Sequence, residues 1–346
     1  MRPSWIPRYP TGNAGRRPWR LLILASLIAV AADGPHNPLF PGADPDLVAT
    51  CDGWMIYPTT QGQPPGVPHT ASFYAWQSPD LVHWRRGGTI LDMAAIRWIG
   101  DDGAPAHHLW APTLAAGNGR FYFYYSVGPQ NPTPSRIGVA VGTSPEGPFI
   151  DTGKPLVTGG NGFEAIDPMV FTDPHSGRSY LYAGGSAGAR LRVFELKSNM
   201  VEIAREVPVA NPPAFTEGAF VHERNGIYYL SYSHGRYNGP DYSVHYATAT
   251  SPEGPWTYRG AILVSDATHQ GPGHHAFARN PATGEWFIAY HRWERSDATP
   301  PFRGDRQVAI DRVSYDANGL ILPIVMTDGP PPASVLGCSA CPTQVH

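Results

Sequence analysis

A glycine that opens a short aromatic strand recurs five times along the 346-residue chain: Gly53 before residues 54–57, Gly119 before 121–125, Gly177 before 180–182, Gly226 before 228–230 and Gly284 before 286–290. The spacings are 66, 58, 49 and 58 residues. A second mark keeps step with the first, because Ser78-Pro79, Ser144-Pro145 and Ser251-Pro252 each begin 25 residues after their glycine. Repetition on this scale, with several short strands per unit, marks radially arranged sheets, so the chain is predicted to be all-β and to form a five-bladed β-propeller.

In such a fold the strand that starts each blade lies beside a central channel, and residues at equivalent offsets meet there although they are far apart in sequence. Counting back nine or ten residues from each glycine reaches Asp44, Trp110, Asp167, Glu217 and either His274 or His275. One acidic residue at a strand start is ordinary solvated surface. Three at one repeat position, with an aromatic and a histidine, describe a polar pocket.

Within the units, residues 121–126 and 137–141 read as paired strands ending at Ser144-Pro145-Glu146-Gly147-Pro148-Phe149, and 228–232 and 244–248 repeat that plan before Ser251-Pro252-Glu253-Gly254-Pro255-Trp256. Trp84, Phe149 and Trp256, which end three of the units, are expected to plug the gaps between blades. Gly184-Gly185-Ser186-Ala187-Gly188 has the Gly-x-Ser-x-Gly spacing of a nucleophile elbow, but strand-like residues 190–194 follow it where the elbow needs a helix, so it reads as a hairpin turn.

Residues 1–32 have the pattern of a secretory leader: Arg16, Arg17 and Arg20, an apolar run over 21–30, and small residues before Asp33. The run is too short to span a bilayer. The expectation is a secreted or periplasmic protein with no membrane association after leader removal, a catalytic propeller over 33–328 and a Pro-rich, poorly ordered tail over 329–346. A net charge of −3 and 15% charged residues leave no basic stripe for nucleic acid, while 12% aromatic residues suit a sugar ligand. Of three cysteines, Cys338 and Cys341 could close a small tail disulfide, or one of them could reach Cys51.

Ala43-Asp44-Pro45-Asp46-Leu47, Ala165-Ile166-Asp167-Pro168, Thr216-Glu217-Gly218-Ala219-Phe220 and Gly271-Pro272-Gly273-His274-His275, the last followed by Tyr290-His291-Arg292, resemble the successive blade openings of glycoside hydrolase family 43. The resemblance runs from about Pro35 to Val325. It implies a five-bladed propeller that hydrolyses arabinosides, xylosides or galactosides of plant polysaccharides. Inversion needs one carboxylate to activate water and one carboxylic acid to protonate the leaving oxygen. By similarity Asp44 is the base, Glu217 the acid, and Asp167 orients the acid and keeps it protonated near neutrality.

Alternation along a strand would place Asp46 on the face of Asp44; the resemblance favours Asp44, the residue directly before proline. The family also implies a histidine near a hydrated metal, often calcium, which makes His274 the candidate metal residue, although the two-carboxylate chemistry itself requires no cofactor. Trp110, Arg292 and His275 are the candidate substrate contacts. The retaining invertase and levansucrase clan shares the fold, but its Asn-Asp-Pro-Asn-Gly, Arg-Asp-Pro and Glu-Cys elements are missing here. A non-catalytic, carbohydrate-binding propeller is the alternative from another functional class. The expected activity is that of an exported, inverting α-L-arabinofuranosidase or β-xylosidase acting on an oligosaccharide or polysaccharide.

Overall fold

The computed structural model describes residues 36–50, 52–63, 70–186, 188–294 and 299–336. The leader and all three cysteines lie outside the described residues. The strands fall into five antiparallel runs in chain order. The first holds β1 (Phe40–Thr50), β2 (Gly53–Thr60), β3 (Ser72–Ser78) and β4 (Arg85–Asp92). The second holds β5 (His108–Gly117), β6 (Arg120–Gly128) and β7 (Arg136–Gly142), with β8 (Ile150–Asp151) and β9 (Val157–Thr158) both paired to β7. The third holds β10 (Met169–Thr172), β11 (Ser179–Ala183), β12 (Arg192–Leu196) and β13 (Ile203–Val207). The fourth holds β14 (Glu217–Arg224), β15 (Ile227–His234), β16 (Ser243–Ala249) and β17 (Thr257–Leu263). The fifth has β18 (Gln270–Arg279), β19 (Trp286–Trp293) and β20 (Gln307–Val313).

The fifth run borrows its outer partner. β20 pairs with the head of β1 through Phe40 with Val308 and Pro41 with Gln307, which joins the first and fifth runs into one seven-stranded sheet. The first strands of the runs are neighbours: β1 lies by β5, β5 by β10, β10 by β14, β14 by β18, and β18 by β1. The only helical segments among the described residues are two 3-10 turns, Met93–Ala95 and Ile99–Asp102.

Both repeat marks have physical causes. Each glycine sits at the turn between the first and second strand of its run. At Asn118-Gly119 and Asn225-Gly226 both residues have positive φ (53° and 68°, 54° and 81°), the conformation whose twist matches a two-residue hairpin. The Ser-Pro turns tie runs together. Tyr57 on β2 donates to the Pro145 carbonyl at 2.7 Å, and Tyr182 on β11 donates to the Pro252 carbonyl at 2.5 Å, each reaching the following run. Phe149 stacks on Phe123 at 5.0 Å inside an apolar cluster that includes Val48, Met55 and Tyr57 of the first run. Each such ring, taken from water, contributes about 1.5–3 kcal/mol, so the joints between runs are apolar cores in their own right.

Residues 329–336, expected to be poorly ordered, are held in place. Trp54 donates its indole N–H to the Ser334 carbonyl at 2.6 Å, the Ser334 amide donates to Asp80, and Asn280 donates to the buried Ser334 hydroxyl. These are buried partners that a loose tail would leave unsatisfied.

Candidate active site

The first strands share a deformation near their starts. In β1 the register jumps between Ala43 and Asp46, in β5 between Trp110 and Thr113, in β14 between Glu217 and Phe220, and in β18 between Gly273 and Ala276. Just ahead of β10 the Gly184 amide donates to the Ile166 carbonyl, while Met169 pairs with Tyr182, so residues 167–168 are the surplus pair there. Each is a β-bulge, with two residues opposite one. The first residue of each bulge is left-handed: Asp44 (φ 49°), Ala111 (42°), Asp167 (54°), Gly218 (62°) and His274 (41°). In three of the five a proline follows, tolerated because the bulge leaves its position without a ladder hydrogen bond.

Counting back from the glycines therefore does not land on one structural position. Asp44, Asp167 and His274 are equivalent, whereas Glu217 and Trp110 precede the left-handed residue by one.

The bulge turns the left-handed residue's amide toward the preceding run, where a side chain on the second strand accepts it. Ala111 donates to Thr59 Oγ1 (2.7 Å), Asp167 to Ser126 Oγ (2.9 Å), His274 to Ser233 Oγ (2.8 Å) and Asp44 to His291 Nδ1 (3.1 Å). The third run breaks the pattern, since glycines stand where the acceptor would be; a Cβ on Gly184 would lie 2.0 Å from the Arg190 carbonyl oxygen. The Gly218 amide donates to Asp167 Oδ2 at 3.1 Å instead. A backbone bond to a carboxylate thus links Asp167 to the residue after Glu217.

Asp44 is buried and surrounded by partners. Thr59 donates to its Oδ2 at 2.7 Å, Arg306 Nη1 donates to Oδ1 at 3.0 Å, and the Nδ1 atoms of His274 and His291 each lie 3.3 Å from Oδ1. Burial pushes its pKa up, but the Arg306 charge and then His274 outweigh burial and hold the carboxyl well below its ordinary value. Asp167 goes the other way. Burial first, then the charges of Glu217 and Asp44, raise it well above the usual range, so the cluster retains a proton. His274 Nδ1 stands 3.7 Å from Asp167 Oδ2 as well as 3.3 Å from Asp44 Oδ1, which brings both aspartates to one imidazole.

Glu217 is buried and accepts two hydroxyl hydrogen bonds, Tyr242 to Oε1 and Ser186 to Oε2, both at 2.8 Å. Burial, followed by the Glu217 charge, keeps the Tyr242 phenol protonated far above pH 10. The three carboxylates proposed from the repeat therefore meet, and Thr59, Ser186, Tyr242, His291 and Arg306 join them. Of these five, His291 carried a sequence signal in the motif that opens at Tyr290, and Arg306 and Tyr242 carried none.

Other expectations are corrected. Arg292, a candidate substrate contact, is fully buried on the opposite side of β19 from His291, where Nε donates to Glu294 (2.6 Å), Nη2 to Asp328 (3.0 Å) and Nη1 to the Thr327 carbonyl (2.9 Å); adjacent strand residues face opposite ways, and the arginine beside Asp44 is Arg306. His275 likewise turns away, bonding Ser231 Oγ at 2.7 Å between the rings of Phe220 and Phe277. Asp46 leaves the face of Asp44 because the bulge interrupts alternation, and its Oδ2 accepts the Leu114 amide at 2.7 Å between the first two runs. Trp110 is half-buried, stacked on His108 at 5.6 Å and laid against Gly128, where a Cβ would come within 2.1 Å of its ring.

The surroundings of His274 do not fit calcium. That ion takes six to eight oxygens, whereas here the aspartate oxygens are engaged by Arg306, Thr59 and the Gly218 amide. Among the described residues, His269, Glu294 and Asp328 form the group with metal-ligand spacing, and the Arg292 guanidinium already bridges its two carboxylates.

The model of the glycosyl hydrolases family 43 matches residues 35–321. The chain belongs to glycosyl hydrolase family 43. This family 43 chain is similar to the β-D-galactofuranosidase xynD of Aspergillus niger, with 35% identity over 308 residues that cover 84% of the chain and 85% of the relative. It is 30% identical to a xylosidase/arabinosidase of Bacteroides ovatus, over 68% of the chain and 78% of that protein. Among solved structures it resembles a thermostable family-43 glycoside hydrolase, with a TM-score of 0.69, 28% identity and coverage of 85% of this chain and 96% of the other. It also resembles CoXyl43, a β-xylosidase/α-arabinofuranosidase from a compost microbial metagenome in complex with xylotriose and in calcium-free form, with a TM-score of 0.65, 26% identity and coverage of 82% and 94%. The protein is a glycoside hydrolase with an all-β fold, in a family whose fold is the β-propeller.

Proposed function

We propose that this family 43 enzyme is an exported, inverting glycosidase that removes arabinosyl or xylosyl residues from plant polysaccharide, with its five runs of strands acting as the blades of a five-bladed propeller. The neighbour relations of the five first strands support the blade count, and the apolar run over 21–30 supports export. The observation that carries the chemistry is the meeting of three buried carboxyls: His274 lies within reach of both Asp44 and Asp167, and Asp167 accepts the amide of the residue after Glu217, with Asp44 held low beside Arg306 and Asp167 pushed up. Buried carboxyls gathered in this way supply the pair that two-carboxylate hydrolysis needs.

In this mechanism Asp44 takes a proton from water as the water attacks the anomeric carbon. Glu217 gives a proton to the glycosidic oxygen as the C1–O bond breaks on the opposite face, and configuration inverts. Asp167 contacts neither reacting atom and acts through Glu217. Furanosides come first among substrates, because the relative with 35% identity is named for β-D-galactofuranose. That sugar shares its ring configuration with α-L-arabinofuranose and differs in the exocyclic chain on C4.

A panel of 4-nitrophenyl α-L-arabinofuranoside, β-D-galactofuranoside and β-D-xyloside, with the first-formed anomer followed by proton NMR, tests the proposal. The expected result is hydrolysis of a furanoside with inversion. A retained anomer would remove Asp44 from the role of base. Binding of oligosaccharide by calorimetry with every glycoside untouched would mean a lectin.

A further inference from the structure

The Gly-x-Ser-x-Gly turn between β11 and β12 is no nucleophile elbow, since a strand and not a helix follows it. Its glycines nevertheless have a local purpose. A Cβ on Gly185 would lie 2.3 Å from the Cβ of Glu217, and one on Gly188, where φ is +91°, would lie 2.4 Å from the Gly162 carbonyl oxygen. Only a backbone without side chains can lie this close to Glu217, and the approach delivers Ser186 to Oε2. Ser186 itself is left-handed (φ 48°). That conformation costs on the order of 1 kcal/mol and persists only where the surroundings impose it.

We propose that Ser186 is a positioning residue that makes Oε2 of Glu217 the oxygen that delivers the proton, while Tyr242 fixes Oε1 as a permanent acceptor. The inference rests on Glu217 being the acid. Tyr242 is fully buried and stacked on His291 at 5.6 Å, and its single hydrogen goes to Oε1. Ser186 is half-buried, and its hydroxyl can turn, donating to a carboxylate Oε2 or accepting from a protonated one. A proton on Glu217 therefore resides on Oε2, facing Ser186. When substrate arrives, the glycosidic oxygen replaces Ser186 as acceptor. The O–H bond at Oε2 breaks, the proton joins the glycosidic oxygen, and that oxygen keeps the electron pair of the broken C1–O bond. Ser186 then rotates to donate to the new carboxylate.

A leaving-group series on the full-length enzyme tests this. The Ser186→Ala variant should lose about 10²-fold in kcat on glycosides of poor leaving groups such as phenol or methanol, the scale of general acid assistance. It should stay within about twofold of wild type on the 2,4-dinitrophenyl glycoside, whose departure needs no proton, with KM unchanged. Ser186→Gly relaxes the left-handed strain while removing the hydroxyl, so it should show the same pattern without a folding defect. Gly185→Ala, which pushes the turn off Glu217, should follow it. Losses of equal size across the series, or no loss on the phenyl glycoside, overturn the proposal. Glu217→Gln serves as the reference: if it shows no leaving-group dependence the acid assignment itself falls, whereas dependence in Glu217→Gln alone overturns only the role of Ser186.

Discussion

The two ends of the first strands differ in kind. At the starting end the backbone is bulged, left-handed and charged, with Asp44, Asp167 and His274 within reach of one another. Three to five residues further along, β1, β10, β14 and β18 run in regular register and line a cavity of about 280 Å3 with Val48, Phe171, Phe220, His222 and Phe277, joined by Trp286 from β19. A pair of histidines shows what the difference means. His222 at the far end and His291 at the charged end are both buried, and burial, followed by a neighbouring arginine, depresses both to about 3. His222 spends its neutrality on packing, stacked on Tyr229 at 4.6 Å. His291 uses the same neutrality to hold the charged cluster, because an unprotonated Nδ1 can accept the Asp44 amide. The charged cluster of this protein sits where the strands are bent, and regular pairing serves the core.

The strongest way to break that contrast is to remove charge at each end. Asp44→Asn and Glu217→Gln keep shape and should lower kcat on the phenyl glycoside by about 10³-fold or more. Arg279→Gln, which removes an exposed charge at the far-end cavity, should leave kcat as it is. Comparable losses at both ends, or wild-type rates in the first two variants, would dissolve the distinction.

A second test concerns what keeps the base ionised. Arg306→Met leaves Asp44 buried without its guanidinium, which should cost about 3 kcal/mol of stability at pH 7, as for other half-removed buried pairs. Because Arg306 lowers the Asp44 pKa, its loss raises it. Asp44 is then neutralised at higher pH, and if it is the base the acid limb of kcat/KM should move up. The sign for stability follows from the same shift. A depressed carboxyl stabilises the fold above its unfolded pKa and loses that contribution as pH falls through the folded value, so the wild-type advantage over Arg306→Met should vanish in strong acid. An unmoved acid limb would mean that Asp44 is not the base.

The smallest effect separates bent from regular backbone directly. Ala111 has φ of 42°, so Ala111→Gly should relieve strain and raise stability by about 0.5–1 kcal/mol in denaturant unfolding. Ala49→Gly, in the regular part of β1 where Ala49 pairs with Trp54, should lower it by a similar amount. Equal signs would show that the bulge at Ala111 is not strained.

The architecture was legible because its marks are turn chemistry. Gly119 and Gly226 follow asparagines that must be left-handed for a tight hairpin, and the Ser-Pro turns receive tyrosines from the neighbouring run. The carboxylates were legible because they precede those turns at near-constant distance. The bulges were not, since an extra residue in a strand leaves no compositional trace. Asp46 and Arg292 show the cost: period-2 reasoning kept Asp46 with Asp44, and the same alternation, applied to β19, gives the site to His291 and removes Arg292. Arg306 could not be singled out because it precedes β20 in a run whose fourth strand comes from the first run, so no repeat offset points to it.

Asp44 receives its two main partners from very late in the polypeptide, His291 being 247 positions and Arg306 262 positions downstream. Of the three acidic groups, Asp44 is made first, yet its partners are made after those of Asp167 and Glu217. A nascent or prematurely ended chain that stops short of β20 has neither the counter-ion for that aspartate nor the strand that clasps Phe40 and Pro41. The first carboxylate and the head of β1 thus depend on one downstream segment for both charge balance and strand pairing.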